Sequence, residues 1–369
     1  MTAELVHAPE TILVTGGCGF IGSNYIRHVL AQDESVAIVN LDLLTYAGFR
    51  DNCEGLDTSD RYVLVKGDIC DAGLVADILR THRIDTVVHF AAESHVDRSI
   101  AGPAPFIRTN VTGTFTLVEG ARLFWLTDKG LDGRRARFHH ISTDEVFGTL
   151  GEKDAPWTEA SPYQPHSPYA ASKAAADHIV RSYGTTYGLP YTLSNCSNNY
   201  GPRQHPEKLI PLVILNALSG REIPVYGDGG NIRDWLYVED HCMAIHQIVT
   251  RASNGETYLV AGGTQPSNID LVRLLCRIVD EEADRVPVRP SESLVQFVDD
   301  RPGHDRRYAM SVDKLEHDLG WRRTVDIEEG LRRTVRWYLE NPGWVDALST
   351  SESYRSWMNT HYKRGATTT

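Results

Sequence analysis

The eight residues Thr15 to Gly22 (TGGCGFIG) follow directly on an apolar, β-branched run and lead directly into a helical pattern. No other stretch limits the fold as much. Two glycine registers overlap in it, Gly17-x-Gly19-x-x-Gly22 and Gly16-x-x-Gly19-x-x-Gly22. A tight turn, close backbone approach to a pyrophosphate and close packing of helix on strand each require glycine. The N-terminus of the helix that follows turns its free N–H groups on the anion. A glycine pattern alone is weak, since a plain tight turn uses the same residues; the strand–turn–helix setting is the context that gives it meaning.

The setting recurs down the chain. Strand patterns at residues 11–15, 36–41, 62–66, 86–90, 137–142 and 191–193 alternate with helical patterns at 21–31, 73–81, 106–126 and 169–187. Such alternation predicts right-handed βαβ crossovers and a parallel sheet covered on both faces. The expected fold is therefore α/β, a Rossmann-type doubly wound parallel sheet over residues 1–194. Beyond residue 195 glycine and proline come thickly and strands look short, with helices predicted at 209–218, 238–249, 269–279 and 327–340. Residues 195–369 read as a smaller mixed α/β domain for the substrate, with segments exchanging between the two. Its loops suit shaping a pocket against the strand ends.

Net charge at neutral pH is −12, the wrong sign for a nucleic-acid or anionic-membrane binder. Six cysteines without a Cys-x-x-Cys pair argue against a disulfide framework or a metal site, and for a reducing compartment. The start, MTAELVHAPE, lacks the basic and apolar segments of a secretory signal, so a cytoplasmic location is expected.

Asp42 lies 20 residues beyond Gly22, at the end of the second strand. A carboxylate there accepts from a ribose 2′-hydroxyl and repels a 2′-phosphate, which favours NAD over NADP. Farther on, Ser142 to Gly148 (STDEVFG) closes the fifth strand pattern. Adjacent strand residues point to opposite faces, so Asp144 and Glu145 reach one ligand only if the chain has already left the pleat. Tyr169 and Lys173, four apart in an alanine-rich stretch, share one helical face. An ammonium beside a phenol is expected to lower the phenol's pKa and make it a usable base. A polar turn and a solvated surface pair account for the same residues taken singly; in combination with the dinucleotide fingerprint they point to proton transfer.

With TGGCGFIG, HFAAESHVDRS (residues 89–99), STDEVFG, YAASK, NNYGPRQHPEKLIP and DRPGHDRRYA (residues 300–309), the chain resembles the extended short-chain dehydrogenase/reductase family over nearly its whole length. Within it, the chain looks like the dTDP-glucose 4,6-dehydratases. The adjacent Asp144 and Glu145 are the most specific part, because related sugar-nucleotide 4-epimerases usually carry small or apolar residues there. Cys18, in place of a residue more often alanine, and Phe147, in place of tyrosine, depart from the pattern without touching the charged residues.

The resemblance implies a bound NAD and a sugar-nucleotide substrate whose oxidation at carbon four is transient, so that the net reaction is loss of water. It implies Thr143, Asp144, Glu145, Tyr169 and Lys173 as catalytic, with Glu145 the base at carbon five and Asp144 the acid at carbon six. It places Gly16, Gly19, Phe20, Ile21, Gly22, Asp42, Asp68, Ile69, Ala91, Thr109, Tyr169, Lys173 and Asn199 at the cofactor. It places Ser94, Asn198, Lys208, Leu209, Pro224, Tyr226, Arg233, Asn268, Arg301 and His304 at the substrate. Lys208 opening a helix and Arg233 pairing with Asp234 at the surface are the competing readings of two of these. A homodimer through residues 106–126 and 169–187 is also implied, and an epimerase or decarboxylase of nucleotide sugars is the nearest rival activity.

Overall fold

The computed structural model describes residues 6–131, 135–300 and 303–350. Seven strands form one sheet: β1 (Thr11–Thr15), β2 (Ala37–Asp42), β3 (Tyr62–Lys66), β4 (Thr86–His89), β5 (Arg137–Thr143), β6 (Tyr191–Cys196) and, from far along the chain, Thr257–Val260. All neighbouring strands are parallel, in the spatial order Thr257–Val260, β6, β5, β4, β1, β2, β3. The order reverses between β1 and β4, and there the crossovers leave a crevice at the carboxyl ends of the strands.

Alternation along β1 shows how the sequence builds two covered faces. Leu13 packs with Val87 and Phe138 beneath the helices Ala72–Thr81 and Thr114–Arg122, whereas Ile12 and Val14 pack on the opposite side with Tyr25, Ile26 and Ile245. The second face is shared by the first helix, Phe20–Gln32, and a helix from the other half of the chain, Val238–Arg251. Arg137, at the start of β5, is buried and donates to the carbonyls of Ile248, Val249 and Ala252, so its guanidinium closes the C-terminus of that helix. The boundary expected at residue 195 is thus crossed twice, by a helix and by the edge strand.

The remaining elements make a second lobe. Helices Leu209–Ser219, Asn268–Glu282 and Ile327–Glu340 bury one apolar cluster with two short strands, Ile223–Tyr226 and Trp235–Tyr237. Each of these strands has one parallel partner, Val295–Val298 and Asn198–Tyr200 respectively. The helix expected over residues 106–126 is a continuous helical stretch, but its winding changes: Ile107–Gly113 and Leu123–Thr127 are π-helical around α-helical Thr114–Arg122. In the first wide turn Asn110 is buried and pairs with both backbone groups of Glu93 and with Ser172 Oγ, bonds that 3.6-residue periodicity does not predict.

Candidate active site

A cavity of about 340 Å³ lies in the crevice at the strand ends. It is lined by Gly16, Gly19, Phe20, Ile21, Gly22, Asp42, Asp68, Ile69, Ala91, Thr109 and Asn199, together with Thr143, Asp144, Glu145, Tyr169 and Lys173. Every residue expected at the cofactor therefore faces one space.

The glycine turn has room for nothing larger. Gly16 has a φ of +71°, and a Cβ on it would stand 2.7 Å from the Ala91 nitrogen; on Gly22 it would stand 2.4 Å from the Gly16 carbonyl oxygen. Gly19 is the N-cap of the first helix and brings no side-chain cap, so the first-turn N–H groups are left to an anion. Asp42 is buried and accepts from the Cys18 N–H at 2.9 Å and the Leu44 N–H at 2.8 Å, which makes it an anchor of the turn as well as a wall of the cavity. These features fit a dinucleotide pyrophosphate with a ribose beside Asp42.

At the other end, the chain leaves the pleat directly after Thr143. Asp144–Phe147 forms a 3-10 turn whose N-cap is Thr143, with Oγ1 accepting from the Glu145 N–H. The turn carries both Asp144 and Glu145 to the cavity wall, which a continued strand would not allow. Asp144 is only 3% exposed; one oxygen accepts from the Thr143 hydroxyl and the other, Oδ2, has no partner. Burial, and next the charge of Glu145, push the Asp144 carboxyl well above the usual carboxylate range, so it is the neutral member of the pair. Glu145 is more accessible and borders a second cavity too.

Tyr169 and Lys173 lie on the helix Pro168–Tyr187, which starts at Ser167, whose Oγ accepts from the Ala170 N–H. The Lys173 Nζ donates to the Ile141 carbonyl at 2.7 Å. One expectation needs correction here. Burial, reinforced by Glu145, pushes the Tyr169 phenol up; the Thr143 hydroxyl acts the other way without reversing it. The lysine is engaged by a carbonyl, and a buried phenol facing a carboxylate holds its proton.

The second cavity, about 190 Å³, joins the first at Ser94, Glu145, Asn198, Glu207 and Lys208. Leu209, Pro224, Tyr226, Arg233, Asn268 and His304 also line it, so the residues expected at the substrate converge, except Arg301, which lies outside the described residues. Lys208 both opens the helix Leu209–Ser219 and borders the two cavities. Arg233 does not pair with Asp234: it is 5% exposed, its guanidinium lies 4.0 Å over the Tyr308 ring, and Asp234 instead accepts from Ser197, Gly262 and Gly263. Asn198 Oδ1 and Asn268 Oδ1 are buried without partners, as expected of groups that await a ligand.

Several lining residues were not anticipated. Glu207 is buried against Arg98 at 3.0 Å, and Tyr308 forms the platform under Arg233. Both sit in quoted motifs, next to or near the cations that were singled out. Phe147 packs on Trp157 and Tyr163, an apolar contact that needs no hydroxyl.

A family model described as GDP-mannose 4,6 dehydratase matches residues 13–334. The chain is 50% identical over 361 residues to dTDP-glucose 4,6-dehydratase 1 of Escherichia coli (strain K12), covering 95% of this chain and 99% of that one. The chain belongs to the dTDP-glucose 4,6-dehydratase family. A solved member of the dTDP-glucose 4,6-dehydratase family, DesIV from Streptomyces venezuelae with NAD and dTDP bound, superposes with a TM-score of 0.83 at 47% identity, over 92% of this chain and 99% of that one. The UDP-glucose 4-epimerase of Thermus thermophilus, in complex with NAD, gives 0.77 at 30% identity over 90% and 99%. The epimerase likeness shows that the fold extends beyond 4,6-dehydratases, so the reaction has to be argued from the side chains at the site.

Proposed function

We propose that this chain binds NAD in the larger cavity and dTDP-glucose across the junction of the two, and converts it to dTDP-4-keto-6-deoxyglucose and water. The observation that carries the reading is the turn that sets a neutral Asp144 and an accessible Glu145 side by side on the wall they share with Tyr169.

Bound NAD would supply a hydride acceptor for sugar carbon four, a positive charge in the larger cavity, and the hydride that ends on carbon six. Once the Lys173 ammonium and the positive charge of bound NAD have drawn off its own proton, Tyr169 Oη would take the proton of the carbon-four hydroxyl. The ketone so formed acidifies the hydrogen on carbon five, and Glu145 removes it as a proton. Asp144 gives its proton to the hydroxyl of carbon six, which leaves as water. The Glu145 proton then returns to carbon five, and Tyr169 releases its proton to solvent while Asp144 takes one up, which restores the site. Opposite protonation states in neighbouring carboxyls are what this elimination requires, and like-charge repulsion with unequal burial produces them.

Arg233, held flat by Tyr308, and Lys208 at the mouth of its helix would meet the pyrophosphate that an acidic protein must otherwise repel. A homodimer through the helical faces of residues 106–126 and 169–187 is supported by the exposed Ile107, Phe115, Leu123, Leu126 and Tyr187. Cys18, Cys53, Cys70, Cys196, Cys242 and Cys276 are all free thiols, which suits the cytoplasm, and no helix among the described residues is long and apolar enough to cross a membrane. Incubation of purified protein with NAD and dTDP-glucose should yield a 4-keto-6-deoxy sugar without net NADH. An epimer as product, or intact substrate, would overturn the reading. Light scattering should give twice the chain mass, and Phe115→Glu should reduce it to one.

A further inference from the structure

Asp177 lies one turn beyond Lys173 on the helix Pro168–Tyr187, is 0% exposed and lines neither cavity. Its Oδ2 accepts from Ser142 Oγ at 2.8 Å and Tyr163 Oη at 2.9 Å, and His140 Nε2 stands 3.1 Å from its Oδ1. Asn195 Nδ2 is 3.5 Å from the same Oδ2 and donates to the Thr143 carbonyl at 3.0 Å. Asp177 is thus rooted in the helix of Tyr169 and Lys173 and bonded to the strand end that carries Thr143, Asp144 and Glu145.

A carboxylate with no solvent access needs a cation. The groups around it leave few choices. Burial pushes His140 down to about 4, so it is neutral near pH 7, and His89 beside it is lowered by burial as well. Tyr163 is a neutral donor, and Arg181 reaches the Tyr163 hydroxyl at 3.3 Å. Lys173 remains, itself 5% exposed. Burial lowers Lys173 and the Asp177 charge opposes that; burial works against Asp177 too, yet His140, Lys173 and Ser142 together hold it below its ordinary value.

We propose that Asp177 is a positioning residue for the reaction: its carboxylate is the counter-charge that keeps Lys173 an ammonium beside Tyr169, and its bonds tie the catalytic helix to the end of β5. This rests on Tyr169 and Lys173 being the acid/base pair. Asp177→Asn keeps the shape, since the amide can accept from Ser142 and Tyr163 and donate to neutral His140.

In the NAD-loaded full chain, kcat and KM for dTDP-glucose are measured across pH. With the charge gone, Lys173 gives up its proton sooner. The alkaline limb of kcat should move to lower pH by roughly one unit, while KM stays within about twofold. Tyr163→Phe removes a bond and no charge, and should leave the limb in place. An unmoved limb in Asp177→Asn, or an equal move in Tyr163→Phe, overturns the proposal.

Thermal unfolding of the chain without ligands gives a readout independent of turnover. Asp177→Asn strands a buried ammonium and should lower the midpoint, and adding Lys173→Met should raise it again. A double variant no more stable than Asp177→Asn also overturns the proposal. If the unaltered chain forms no keto-sugar, the functional reading fails by itself, and the thermal pair still tests the counter-charge.

Discussion

Asp144 and Glu145 are consecutive in sequence and differ in surroundings: one is enclosed with an unpartnered oxygen, the other opens on both cavities. Glu145→Gln should retain the first hydride transfer, seen as transient absorbance of reduced cofactor, and lose exchange of the carbon-five hydrogen with deuterated solvent, with turnover down by about 10²–10⁴-fold. Undiminished exchange would remove Glu145 from that role. Asp144→Asn should lower turnover and at the same time raise the thermal midpoint of the ligand-free chain. The folded carboxyl titrates above its unfolded value, so its contribution to stability is lost as pH rises. The variant's advantage should therefore widen from about pH 4 toward neutrality. An advantage that does not change with pH would contradict the assignment of Asp144 as the neutral acid. The site carries a stability cost that its chemistry needs.

Among the elements, two turns at the carboxyl ends of strands do most to shape the site. The glycine turn after β1 brings backbone to within contact of Ala91 and Gly16, and the 3-10 turn after β5 redirects two carboxyls into the cavity. Gly22→Ala would force its methyl against the Gly16 carbonyl oxygen, at 2.4 Å, and must widen the turn. NAD affinity should fall by about tenfold or more, or about 1.4 kcal/mol, in a calorimetric titration, with the far-ultraviolet dichroism unchanged. Unaltered affinity would mean that the turn does not carry the pyrophosphate.

For the molecule as a whole, the buried imidazoles govern acid stability. Burial lowers His7, His140, His205 and His246 to about 4 and His241 to about 3, and lowers His28, His89 and His139 as well. Each folded value lies below the unfolded value of about 6.5, so the unfolded chain binds more protons between the two. Stability is then lost as pH falls from about 6.5 toward 4. Asp42, Glu93, Asp144 and Asp234 are raised by burial and act oppositely, but they are fewer. The thermal midpoint should decline over that window; a flat profile would show that the histidines protonate in place.

The first five strands and the helix that carries Tyr169 and Lys173 were legible to within a residue or two, because period-two and 3.6 patterns and glycine turns are local signals. Part of the set that lines the two cavities lies in motifs quoted whole; Asp68, Pro224, Tyr226 and Asn268 lie outside them and came with the family resemblance, and Glu207 and Tyr308 were not anticipated. The winding of residues 107–127 was not legible, since Asn110 takes that register from Glu93 and Ser172. Exchange of segments between the halves was expected, but not that Thr257–Val260 and Val238–Arg251 are the ones that return to the first sheet, which depends on pairing with β6 and on Arg137 far back in the chain. Sequence alone determined which side chains the chain has for moving protons and on which local elements they ride. Only the tertiary structure decided which of two adjacent acids loses its water, that the Tyr169 phenol is raised and not lowered, and that Asp177 bonds to the end of β5 through Ser142. Burial and the distance between charges exist only once the chain has closed on itself, and these set the protonation states.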